Sequence, residues 1–155
     1  MPALRKFARH AIRKRTRTML REAARAVDSG DGTELHDVRK DVKRLRYNLE
    51  FFASVLGPET SDVLAMLSKI QDRLGTIADS DAFSRTYGEL LAGLDPADPR
   101  RPGIEAAREA ACGRRDKALA SLRKLWAGDD GRSYPDKLAA SISSALGSLS
   151  PKSEA

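Results

Sequence analysis

Leu35, Val38, Val42, Leu45, Leu49 and Phe52 recur at spacings of three and four residues. That spacing places side chains on one face of an α-helix. A strand cannot bury the same set, because its side chains change face at every residue. The residues between them are of another kind. Taking His36 as zero on a helical wheel, Lys40, Lys43 and Tyr47 fall within about 40° of it, and Arg39, Arg44 and Arg46 flank them within about 80°. The stretch "LHDVRKDVKRLRYNLEFF" is therefore predicted to be a two-faced helix, with a core side and a cationic strip headed by His36 and ending at Tyr47.

The rest of the chain reads as helical too. A first helix is predicted from about Ala3 to Val27, ending in "DSGDG", and a second starts after Asp31 or Thr33, either of which suits an N-cap. Gly57-Pro58 is expected to stop the second helix near Leu56 and to open a third, with Pro58 in its first turn. Val63, Leu64, Leu67, Ile70 and Leu74 give that helix its apolar face, and Gly75 reads as its left-handed stop. A fourth helix is expected near Asp79, carrying Phe83, Tyr87, Leu90, Leu91 and Leu94. "DPADPRRP" reads as a linker. A fifth helix is predicted from about Gly103 to Trp126, with Gly113 weakening it by about 1 kcal/mol. After the break "GDDGRSYP", a short helix is expected from about Asp136 to Leu149. The expected architecture is all-α: one domain over residues 1–149, an antiparallel bundle of about five to six helices. Its core bundle covers 3–94, its linker 95–102 and its C-terminal helices 103–149, and a disordered tail follows at 150–155.

Charge is unevenly placed. The net charge is +6. Residues 1–47 hold 14 Lys and Arg against 6 Asp and Glu, so the remaining residues are slightly acidic. Arg5, Arg9, Arg13, Arg17, Arg21 and Arg25 form a ladder four residues apart, interrupted only by Glu22. Like charges at that spacing oppose a helix by a few tenths of a kcal/mol per pair, roughly. A charged helical face is by default simply solvated. Two adjacent basic helices beside an acidic remainder favour a bound polyanion instead. The arginine fork grips phosphate oxygens in pairs, while lysine acts as a point charge.

Other chemistry finds little support. Cys112 is the single cysteine, which allows no internal disulfide and fits a reducing cytoplasm. With one Cys and two His, His10 and His36, ordinary ligands cannot assemble a zinc cluster. Neither a GxxxxGK[ST] loop nor GxGxxG occurs, and no apolar run reaches the roughly 18 residues of a membrane span. The acid-poor start "MPALRKFARHAIRKRTR" also suits a transit peptide, although the pattern runs straight on into a longer helix.

His36, Arg39, Lys43, Arg44, Leu45, Arg46 and Tyr47, followed by Glu50 and Phe52, form a pattern that resembles the CHAD family, the conserved histidine α-helical domain. Downstream, Gln71, Asp72, Leu74, Gly75 and Asp79 match the family's "LQD-LG--ND" junction, with Ala78 where Asn is usual. The resemblance implies a helical module whose basic surface binds inorganic polyphosphate without catalysis or cofactor, in the cytoplasm and in some members at polyphosphate granules. It carries the binding role to His36, Arg39, Lys43, Arg44, Arg46 and Tyr47. Lys40 is added from the wheel. Arg9, Arg13, Arg17 and Arg21 are added from the ladder and from the family's basic first helix. The family domain usually pairs two His-containing halves. This chain shows one, similar to the C-terminal half, so it is either a fragment or a half-length member, and a half-length chain could pair with itself as a homodimer to restore the two-half channel.

Two other functions remain in view. The same cations suit a nucleic-acid backbone, though aromatics make up only 5% of the chain and leave few stacking platforms. His36 as a phosphoryl acceptor is the third reading. It is weakened because His36 is followed by Asp37, Val38, Arg39 and Lys40, with no nearby Gly as in "HxxKG".

Overall fold

The structure, a computed structural model, describes residues 2–147. They form five α-helices: α1 (Pro2–Ser29), α2 (Gly32–Phe51), α3 (Thr60–Ala92), α4 (Arg101–Ala127) and α5 (Tyr134–Gly147). Among the described residues there are no strands, and β pairing is limited to one isolated bridge between Asp129 and Arg132. The expected Leu149 end of the last helix and the tail at 150–155 lie outside the described residues.

The turn between α1 and α2 is short and densely hydrogen-bonded. Gly30 takes φ +70°, a left-handed conformation, and its N–H donates to Ala26 O at 2.8 Å. Asp31 is the N-cap of α2, accepting from Glu34 N at 2.9 Å. The Glu34 carboxylate accepts from the Ser29 hydroxyl at 2.7 Å and lies 3.0 Å from Arg25 Nε. A turn this short leaves α1 and α2 as antiparallel neighbours. At the far end of the pair, the Phe7 and Phe52 rings meet edge-on at 6.4 Å.

Apolar faces of all five helices join in one core cluster. Ile12 and Met19 enter from α1, Leu45 and Leu49 from α2, Leu67 and Ile70 from α3, Leu122 from α4, and Leu138 and Leu146 from α5. Each such side chain contributes about 1.5–3 kcal/mol when fully buried. α4 lies along α3 and reaches α1 through arginines. Arg123 donates to Val27 O and Asp28 O, each at 2.9 Å, and Arg115 donates to Gly30 O at 2.8 Å. These contacts satisfy carbonyls that the C-terminus of α1 leaves without helical partners. α5 is held by Tyr134, whose hydroxyl donates to Met66 O at 3.0 Å, while burial pushes its pKa up. The loop before α3 is tied to α5 through Gly57 N and Ala145 O, 3.1 Å apart.

Three sequence-based boundaries are corrected. α3 runs unbroken through Gly75, so the third and fourth expected helices are one. The 3–4 apolar spacing continues past the glycine to Ile77, which is buried along with Leu74. Burying Ile77 outweighs the roughly 1 kcal/mol that a mid-helix glycine costs. α2 ends at Phe51 rather than near Leu56, because Val55 N and Leu56 N both turn back to Phe52 O. Pro58 precedes α3 instead of sitting in its first turn, and Thr60 closes that turn by donating its hydroxyl to Gly57 O at 2.7 Å.

Candidate anion-binding surface

The α2 strip forms, but much of its charge is compensated within the helix. Lys40 pairs with Asp37 at 2.7 Å, Arg44 with Asp41 at 3.3 Å, and Arg46 Nε lies 3.1 Å from Glu50 Oε1. The Lys40 hydrogen bond and charge hold the exposed Asp37 carboxyl below its usual pKa. Arg46 also donates to Gln71 Oε1 on α3 at 3.0 Å, which turns it sideways from the strip. Tyr47 is 53% exposed, and its ring centre lies 5.8 Å from both Lys43 Nζ and the Arg46 guanidinium carbon. The phenol thus gathers two cations at the end of the strip. Arg39 is half-buried, and its Nε is buried with no acceptor. His36 is exposed and turns toward α3 and α4. It lines a cavity of about 620 Å³ with Ala78, Asp81, Ser84, Arg85 and Arg115, beside the α2 N-terminus. Arg115 in that cavity is paired with Asp81 at 2.6 Å.

α1 differs in kind. It carries nine Lys and Arg against two Asp and Glu, whereas α2 carries five against four. No acid occurs before Glu22. Among the described residues, the ion pairs of α1 begin at Arg21, which lies 3.4 Å from Glu22. Arg9, Arg13 and Arg17 line an open crevice of about 680 Å³ with Lys6, His10 and Lys14. Arg21 is not part of that lining. Arg9 is half-buried, and its Nε, like that of Arg39, is buried without an acceptor.

The two basic faces meet in the groove between the helices. His10, Lys14 and Arg15 of α1 line it together with Asp41 and Arg44 of α2. His10 and Lys14 also belong to the crevice, so the surface runs from the α1 ladder through the groove to Arg44 and the strip. Sequence reasoning passed over Lys6, His10, Lys14 and Arg15. The signal was present: Lys6, His10 and Lys14 form a second ladder at i,i+4, one residue out of phase with the arginines.

The arginine forks and lysine point charges on this surface are of the kinds that pair with anionic oxygens. Among the described residues no group of three or more His, Cys, Asp and Glu is placed to hold a metal ion, and no helix is long and apolar enough to cross a membrane. A family model described as CHAD domain matches residues 1–88, which span α1, α2 and most of α3. No curated protein and no solved structure matches the chain.

Proposed function

The chain belongs to the CHAD-domain family, and from that premise we propose that it is a non-catalytic module binding inorganic polyphosphate on the joined basic faces of α1 and α2. Its role on this reading lies at polyphosphate granules or in the control of polyphosphate metabolism. The observation that carries the proposal is the uncompensated charge of α1, which has no acid before Glu22 and a crevice walled by Lys6, Arg9, Arg13, Lys14 and Arg17. A helix bearing that self-repulsion is relieved by a chain of phosphates laid along it. On α2, Arg39 and Lys43 extend the track, and Lys40, Arg44 and Arg46 join it by exchanging carboxylate partners for phosphate. His36 and Tyr47 add hydrogen bonds at its ends. A nucleic acid would meet the same cations and is expected to be displaced by polyphosphate.

Two triple variants test the assignment. Arg9, Arg13 and Arg17 changed together to Ala should weaken polyphosphate binding on the order of a thousandfold, three charge-assisted contacts being lost at about tenfold each. Arg39, Lys43 and Arg46 changed together to Ala should also weaken it, but less, since Arg46 is already engaged by Glu50 and Gln71. Helical circular dichroism should persist in both. Unchanged affinity in both variants would remove the site from these helices.

A further inference from the structure

His10 is exposed, and it stands where the two basic cavities meet. On the crevice side the charged groups facing it are Lys6, Arg9, Arg13, Lys14 and Arg17. On the groove side they are Lys14, Arg15, Asp41 and Arg44, around a space of about 450 Å³. The single carboxylate among them, Asp41, is held by Arg44 at 3.3 Å. Among the described residues, the crevice is lined by α1 alone and the groove by α1 and α2, with no lining group from α3, α4 or α5.

We propose that the α1–α2 groove is an anion subsite in its own right, and that polyphosphate entering it is coupled to uptake of a solvent proton by His10. The inference rests on the polyphosphate reading above and adds a regulation to it. Imidazole is the side chain whose ordinary pKa puts its charge change between about pH 5 and 8. A phosphate chain lying in the groove brings negative charge against the ring, and an opposite charge nearby favours the charged form. The imidazolium then donates from both ring nitrogens, one toward the crevice and one toward the groove. The bound state thus holds one more proton than the free state, so affinity rises as pH falls.

The test compares the native chain with His10→Gln and His10→Lys, each titrated with long-chain inorganic polyphosphate at about pH 5.5 and about pH 8, either side of imidazole titration. The readout is the ratio of affinities at the two pH values. His36 and the chain-end phosphates are common to all three proteins, so differences between the ratios isolate His10. The ratio of the native chain should exceed that of both variants by about tenfold, the worth of one charge-assisted hydrogen bond. His10→Lys should bind tightly at both pH values and His10→Gln weakly at both. Equal ratios in all three proteins, with binding retained, would overturn this inference and leave the polyphosphate reading standing. No binding by the native chain at either pH would overturn both.

Discussion

Gly128 occupies φ +78°, and a Cβ built there would overlap the carbonyl oxygen of Arg132. The following residues, Asp130 at φ +53° and Gly131 at φ +74°, complete a tight reversal closed by Arg132 N donating to Asp129 O at 3.1 Å. Replacing Gly128 by Ala should cost about 1–3 kcal/mol, as a left-handed backbone and a steric overlap are imposed together. Thermal unfolding of Gly128→Ala would check this, and an unchanged midpoint would contradict it. "GDDGRSYP" announced the break in the sequence, because such residues favour left-handed backbone. The N-cap of α2 was narrowed only to Asp31 or Thr33, since both side chains suit that role. The structure settles it: the Asp31 side chain accepts from Glu34 N, while Thr33 lies within the first turn of α2.

Among the elements, α3 departs most from what the sequence suggested, and the cause is local. A glycine after an apolar run resembles a helix stop, yet Gly75 has open space where a Cβ would lie. Gly75→Ala should therefore stabilise the protein by about 0.5–1 kcal/mol, the ordinary worth of Ala over Gly within a helix. A loss of stability would argue that α3 is broken there. α1 makes the opposite case, since its sequence showed the charge ladder but not which cations remain unpaired. Arg13→Glu replaces two repulsive pairs, with Arg9 and with Arg17, by attractive ones. It should stabilise the free protein by about 0.5–1 kcal/mol in low salt while weakening polyphosphate binding. A rise in melting temperature together with a fall in affinity is the expected signature. Parallel falls in both would mean that Arg13 serves the fold.

Viewed as a whole molecule, the chain sets a basic pair of helices on a support. The stripes of α1, α2 and α5 were legible because each is written locally at helical spacing. The arginines that fasten α4 to the end of α1 were not, since Arg115 reaches Gly30 across 85 residues of sequence and Arg123 reaches Val27 across 96. Sequence also gave α2 the leading role, because the His36 pattern is conspicuous there. Ion pairs within α2 shift the weight to α1, and those depend on rotamers that no spacing rule displays. On the function proposed above, the basic face of α1 and α2 binds an extended phosphate polymer electrostatically. Equilibrium titration of the native chain with long-chain inorganic polyphosphate over a series of salt concentrations puts this to the test. Saturable binding should weaken steeply with salt, log K falling against log salt with a slope near −0.7 to −0.9 for each phosphate contacted, about as for nucleic acids. No binding at low salt, or an affinity that salt leaves unchanged, would contradict the account.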